Sequence, residues 1–317
     1  MSRAKGYNSQ LALGYETTYG KTPTSLKGYN MPFNQSKIAT QQNLIESSTI
    51  RGRRDKEQPA VGNIDVSGSV VVPMDQIGSG FWLRAMFGNP TTTGSGDPYT
   101  HVFKVNDSQP SLVLEQQYPD IPAYEMYNGC KVNKFSFTYG ADTELTANID
   151  IIGSKRSLGA TPFASPLTDI SLLKFSNFQG TIEEGSSQLA IVTEASLHVD
   201  FGLDADSYTI GGGGYRTELP EGYVQVTGSI KAFFEDTVLL NKAIHNTKTS
   251  LQFKFTNGAH SLGFYMEEVI LQQTSPGIES EKGIRIHLPF KAFYHNGTGG
   301  SILVATLING SASYVTA

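Results

Sequence analysis

Apolar side chains return at every second residue in one segment of this chain after another. Ile64, Val66, Gly68, Val70 and Val72 fall on one side of an extended backbone. The same spacing unites Phe135, Phe137 and Tyr139, then Leu145, Ala147, Ile149 and Ile151, and later Ala195, Leu197, Val199 and Phe201. Val224, Val226, Gly228 and Ile230 repeat it, as do Leu251, Phe253 and Phe255, and finally Ile284, Ile286, Leu288 and Phe290. A period of two is that of a strand, whose successive side chains point to opposite faces. Polar residues at most alternate positions put one face on a core and the other in water. Asn128-Gly129, Asn257-Gly258 and the Tyr139–Asp142 stretch are expected to be the turns between runs. The fold class expected is mainly β.

Helical periods are confined to two short segments. Residues 75–87 put Phe81, Trp82, Ala85 and Met86 on one stripe, and residues 235–245 do the same with Leu239, Leu240, Ala243 and Ile244. Asp236 stands where an N-cap would. Trp82, Met86, Leu240 and Ile244 are expected to pack between helix and sheet, the lone tryptophan as a core plug.

Each helix follows the same kind of strand, and the two strands share their wording. "GNIDVSGSV" opens at Gly62 and "GYVQVTGSI" at Gly222, an offset of 160 residues. The register runs back without a gap to Asn43 and Leu203. Eight of those 28 positions are identical: Ser47/Ser207, Thr49/Thr209, Ile50/Ile210, Gly52/Gly212, Gly62/Gly222, Val66/Val226, Gly68/Gly228 and Ser69/Ser229. The organisation expected is an N-terminal arm over 1–30, a first module over 31–157, a linker over 158–172 and a second module over 173–317. "LGATPFASP", Leu158 to Pro166, supplies the Pro, Gly and Ala of the linker.

Composition removes several functions. Thirty-three glycines, 15 tyrosines and 17 phenylalanines suit a turn-rich β protein. A net charge of −5 argues against gripping nucleic acid by phosphate neutralisation and against docking on an anionic membrane. One cysteine, Cys130, allows no intramolecular disulfide and no cysteine-rich zinc site. The first residues lack the apolar core of a signal peptide, and no run is long enough to cross a membrane as a helix. Folding in a reducing cytoplasm is therefore expected.

Catalytic constellations are missing as well. Gly14 precedes Gly20-Lys21-Thr22 by five residues where a phosphate-binding loop needs four, and no apolar helix follows. The segment reads as an extended, tyrosine-bearing arm with a turn at Gly20. The six histidines, His101, His198, His245, His260, His287 and His295, show no metal-ligand spacing and no carboxylate-rich neighbourhood. Cys130 has no catalytic signature. Glu183-Glu184 and Glu267-Glu268 would point to opposite faces of a strand and so make poor acid–base pairs. The charged stretch Arg51 to Glu57 holds Asp55 and Glu57 among its cations and reads as a solvated hairpin or protein contact. Its counterpart, Gly211 to Gly222, lacks the Lys-Ser/Thr of a phosphate cradle. No enzyme activity, cofactor or metal is expected.

These phrases resemble the tail tube proteins of tailed bacteriophages, particularly the large two-module kind found on long, non-contractile tails. The resemblance runs over about residues 7 to 295. It rests on "GYETTYGKTP", on "STIRGRR" followed by "GNIDVSGSVVVP" and a short helix, and on "SLHVDFGLDADSYTIGGGGYRTELPEGYVQVTGSIKAFFED". It implies two tandem β-sandwich or barrel modules, each flanked by a short helix, whose inner sheets join those of neighbours around a lumen. It further implies inter-ring or inter-subunit contacts by the arm, roughly Ser2 to Ser25, with Tyr15 and Tyr19 as aromatic anchors. Arg51, Arg53, Arg54, Asp55, Lys56 and Glu57 of one hairpin, and Tyr215, Arg216 and Glu218 of the other, would add to them. Because the chain says the same thing twice, three copies would close a ring of pseudo-sixfold symmetry, a homohexamer being the alternative. Implied partners are a tape-measure protein in the lumen, tail terminator and tip proteins, and double-stranded DNA that passes without specific binding past a mildly acidic wall. The implied location is the virion tail, without membrane insertion. An outer-membrane β-barrel and a β-sandwich binding or decoration module are the rival readings of the same alternation.

Overall fold

The computed structural model describes residues 3–23, 27–140, 142–278, 281–297 and 300–315. Strands dominate it. In order come β1 (Gln10–Tyr15), β2 (Tyr29–Met31), β3 (Gln35–Ser36), β4 (Ala39–Ile45), β5 (Ala60–Pro73) and helix α1 (Gly78–Phe87). They are followed by β6 (Thr91–Thr93), β7 (Tyr99–Lys104), β8 (Leu112–Tyr118), β9 (Ala123–Tyr139), β10 (Thr146–Gly153) and β11 (Lys155–Gly159). The second half holds β12 (Thr168–Asp169), β13 (Gly180–Glu184), β14 (Ser187–Gln188), β15 (Val192–Asp200), β16 (Gln225–Phe233) and helix α2 (Val238–Ile244). It ends with β17 (Lys248–Asn257), β18 (His260–Leu271), β19 (Arg285–Phe293) and β20 (Val304–Asn309). Every alternating run read from the sequence lies on one of these strands, save that Leu145, Phe201, Val224 and Ile284 each stand one residue beyond an end.

The two halves repeat one pairing scheme. In the first, β1 lies beside β8, β8 beside β9, β9 beside β10, and β10 beside β5, which carries β4 on its other side. In the second, β13 lies beside β17, β17 beside β18, β18 beside β19, and β19 beside β16, which carries β15. All these pairs are antiparallel. Strand β15 also pairs with β9, from Ala195 opposite Tyr139 to Asp200 opposite Lys134. One sheet thus runs β4–β5–β10–β9–β15–β16–β19–β18 through both halves. A second layer, with β1, β2, β8 and β11 of one half and β13, β17 and β20 of the other, the last extended by β7 from the first half, covers its apolar face.

Two bulges let single strands serve both layers. Leu112 faces Cys130 while Leu114 faces Tyr127, so Asn128 and Gly129 together oppose one residue. Gly129 adopts a φ of +63°, and a Cβ there would come within 2.8 Å of Ser154 and 2.9 Å of Tyr19. Asn128-Gly129 is therefore a bulge inside β9 and not the expected turn, because the extra residue bends the strand from one layer into the other. The same count recurs in β18, where Glu267 and Glu268 oppose Ser250 alone. Asn257-Gly258 does turn β17 into β18.

Close approach of strands explains the shared glycines. An added Cβ would stand 2.2 Å from the Lys37 carbonyl oxygen at Gly68 and 2.1 Å from that of Ser196 at Gly228. Both strands are thus pressed against their neighbours at equivalent points.

Helix α1 is buried all round: Phe81, Trp82, Leu83, Ala85, Met86 and Phe87 are at most 7% exposed. Trp82 and Met86 lie within the core. The Asp75 carboxylate accepts the N–H groups of Ile77 and Gly78 (2.8 and 2.6 Å) at its entrance. Gly80 makes room for Tyr314, whose hydroxyl donates to the Ile77 carbonyl (3.0 Å). Helix α2 is shallower. Leu239 and Ala243 are buried and Leu240 leans on the core, but Ile244 is 42% exposed and does not pack as expected, because this short helix turns only one edge inward. Asp236 accepts the Val238 N–H (2.8 Å) from one residue ahead of the N-cap position, Thr237.

Candidate assembly surfaces

Sheet pairing stops at two places along the shared sheet. Among the described residues strand β4 pairs with β5 only, whereas its counterpart β15 has β9 on the corresponding side. Leu44 and Ile45 on β4 and Val61 on β5 are 64%, 57% and 67% exposed. At the opposite end, β18 covers β19 only over Phe290–Phe293, and the Gln272 N–H still reaches the Pro289 carbonyl (2.7 Å). Among the described residues Arg285 to Leu288 pair with β16 alone. A groove of about 900 Å³ opens there among Lys231, Phe233, Thr274, Arg285 and His287. Unmatched N–H and C=O groups along such edges invite another strand.

The solvent face of the shared sheet is rich in hydroxyls and balanced in charge. Ser67, Ser69, Ser136, Thr138, Ser196, Thr227 and Ser229 alternate with the buried apolar residues. Lys134, Lys231, Arg285 and Lys291 are matched in number by Asp65, Asp150, Glu194 and Asp200 on the same face. Lys134 and Asp200 meet across β9 and β15 at 3.3 Å. The net charge of −5 is thus not drawn from this face.

A clasp made by the loop between β15 and β16 lies over strands of the first half. Arg216, 6% exposed, donates from Nε to the Ala205 carbonyl (2.6 Å) and from one terminal nitrogen to Gly153 (3.0 Å) and Val66 (3.3 Å). Its other terminal nitrogen pairs with Asp65, and the guanidinium lies over the Tyr208 ring at 5.1 Å. The Tyr208 hydroxyl donates to Ile64 (3.0 Å), the Ile64 N–H to Gly214 (2.8 Å), and the Ser154 hydroxyl to Arg216 (2.5 Å). From the first half, Lys131 reaches the Leu219 carbonyl (2.9 Å) and Glu221 (2.6 Å). A planar fork satisfying several carbonyls at once is what arginine offers and lysine does not.

The residues singled out in the sequence fall into three groups. Tyr215 is half-buried, Glu218 exposed and Arg216 committed to the clasp. The other hairpin, residues 46–59, is exposed almost throughout. Arg53 and Arg51 meet Glu57 at 2.7 and 3.5 Å, and Lys56 meets Glu46. Arg54 and Asp55 are exposed, with no ion pair among the described residues. Tyr15 and Tyr19 of the expected arm are folded inward, whereas Tyr7 is 86% exposed. Strand β1 pairs with β8 along its whole length, and Leu11, Ala12 and Leu13 are 0% exposed. Tyr15 is buried, donates to the Phe81 carbonyl (2.7 Å) and lies under Arg84 at 3.8 Å. Burial pushes its phenol well up, as it does that of Tyr19, which packs on Gly129. The arm over 2–25 is in this respect a core strand, because three consecutive apolar residues require cover. Gly20, at φ +70°, makes the expected turn, its N–H held by Glu16 at 2.8 Å. Ser2, Thr24 and Ser25 lie outside the described residues.

Titratable groups that looked inert or isolated in sequence are tied into the structure. Cys130 is buried, and burial pushes its thiol up, away from the reactive thiolate. His101 is fully buried between Thr92 (2.8 Å) and the Ser311 carbonyl (2.9 Å), and burial holds its pKa down. His260 meets Asp97 at 2.9 Å. His295 meets Glu267 at 3.3 Å and Glu268 at 2.9 Å. The bulge at these two glutamates lets both reach one imidazole, correcting the expectation of opposite faces and of histidines remote from carboxylates.

No curated protein matches the chain. A family model described as phage tail tube protein matches residues 6–292, from just ahead of β1 to the last residues of β19. That span takes in both halves, the clasp and both sheet ends. The chain belongs to the phage tail tube protein family.

Proposed function

We propose that three copies of this chain close a ring by joining the β4 edge of one to the β18–β19 end of the next, and that such rings stack into the tail tube. The observation that carries this reading is the β9–β15 pairing. It joins two halves of like strand order within the chain and leaves at the two outer ends the edges that would repeat the same joint between chains. The recurrence of the pairing scheme, the paired bulges and the equivalent glycines supports reading the halves as tandem modules, and six modules as a pseudo-sixfold ring. Closure would remove both open edges at once.

Family membership makes the chain a structural component of the virion tail, and the ring gives that role a mechanism. The hydroxyl-rich face of the shared sheet would line the lumen. Balanced charges at close spacing give little long-range field, so DNA phosphates would find neither a basic trap nor a strong barrier. Double-stranded DNA would pass during ejection without specific binding, after a tape-measure protein had occupied the same lumen. Tail terminator and tip proteins would meet the ends of the stack, and no contractile sheath would surround it.

Negative-stain microscopy of the purified chain tests the reading. Annuli with six lobes, single or stacked, are expected. A chain that stays monomeric by sedimentation at tens of micromolar, with no annuli on the grid, would refute it.

A further inference from the structure

We infer that the loop over residues 46–59 of one chain seats on residues 222–226 and 292–294 of a second copy, as the loop over 203–221 seats on residues 62–66 and 153–154 within the chain. This rests on the ring reading and adds the residues that hold one copy to the next. The offset of 160 places Lys56 on Arg216, Ile50 on Ile210 and Arg54 on Gly214, and it places Gly62 to Val66 on Gly222 to Val226. The β10 and β19 registers against β5 and β16 place Gly153 on Ala292, since Ile149 faces Val70 and Leu288 faces Ile230.

One loop has its seat filled and the other has none. In the first half the seat lies under Arg216 and Gly214. In the second half the equivalent seat is an open groove of about 370 Å³, lined by Gly222, Tyr223, Val224 and Tyr294. Tyr223 is 94% and Tyr294 61% exposed, while on the unseated loop Ile50 is 95% exposed. Exposed aromatics beside an exposed aliphatic group are what an interface core needs.

Charge fits the same pairing. Asp107 and Glu221 line the groove, Glu221 already paired with Lys131, and no lysine or arginine is among the lining residues. The loop brings Arg51, Arg53, Arg54 and Lys56. Gln225 stands where the first half has Asp65, so Lys56 would not find the carboxylate that Arg216 has. Its partners would be the carbonyls of Val226 and Ala292 and the Asp107 carboxylate. A point-charge ammonium suits that looser site better than a fork.

Gly214 gives the test its geometry, because a Cβ on it would lie 3.6 Å from the Asn63 Cα. The equivalent pair is Arg54 of one copy and Tyr223 of the next, both exposed. Chains carrying Arg54→Cys and chains carrying Tyr223→Cys are purified apart, mixed under assembly conditions and oxidised. Cys130, buried, stays out of the reaction. A disulfide-linked dimer on a non-reducing gel is expected from the mixture and from neither variant alone. Annuli on the grid without that dimer overturn the seating while leaving the ring intact. Monomers without annuli overturn both.

Discussion

Arg216→Ala removes the centre of the clasp, and its cost can be worked from the geometry. The side chain makes three bonds to carbonyls, at 2.6, 3.0 and 3.3 Å, and pairs with Asp65. Bonds from a charged group contribute about 1.5–3 kcal/mol each, yet they are not additive, and truncating one member of a buried pair costs about 3–5 kcal/mol in total. The Asp65 side chain is 41% exposed, so water re-solvates it when the arginine goes. That places the loss near the lower end, about 3 kcal/mol. With an unfolding entropy of about 2.1 cal/mol/K per residue, the 317-residue chain loses about 4–5 °C in Tm. Differential scanning fluorimetry on freshly purified monomer reads it directly. Arg216→Lys, which keeps the charge and loses the fork, is expected to recover less than half the loss. A Tm within 1 °C of the parent for Arg216→Ala would refute the clasp as a stabilising joint between the halves.

Three further outcomes follow from the same structure. Burial raises the Asp75 carboxyl to about 6 from 3.8 despite its two backbone bonds, so the folded state holds its proton more tightly than the unfolded state. Its contribution is full below about pH 4 and is lost as pH rises through 6, about 3 kcal/mol in all, and Asp75→Asn should flatten that part of a urea-denaturation pH series. Ile45→Lys adds charge to an open strand edge; monomer Tm should stay within about 1 °C while annuli disappear from the grid. Gly228→Ala forces a methyl against the Ser196 carbonyl and the Phe290 ring, and urea titration should register a loss of about 1–3 kcal/mol or more.

The sequence made the half-buried strands legible because water on one face imposes the period of two. Strand β5 and the inner part of β9 are cases. Strand β8, "LVLEQQY", escaped notice since Leu112, Val113 and Leu114 are covered on both faces and show no alternation. Strand β18 was obscured for another reason: its bulge at Glu267 and Glu268 shifts the alternation midway. The same bulge hid the contact of His295 with both glutamates. For β1, the short run Leu11-Ala12-Leu13 was set against polar flanks and read as an arm, although its partner β8 lies a hundred residues on. A helix start signal was legible at Asp236, whose carboxylate holds the N–H two residues on; the equivalent role of Asp75 went unread.

The candidate surfaces were legible only as loops. The repeat located both hairpins, but nothing in "GGGGYR" announces that its arginine is buried while the cations of "RGRRDKE" are exposed. That difference arises because the first half lies beneath one hairpin and none of the described residues lies beneath the other. The open edges were likewise out of reach, being defined by which strands fail to find a neighbour.

Native mass spectrometry of single rings released from the assembled tube tests the central claim most directly. One chain has a mass of 34.4 kDa. A ring of about 103 kDa, three chains showing six lobes by microscopy, is expected. A ring of about 206 kDa, with six chains, would contradict it.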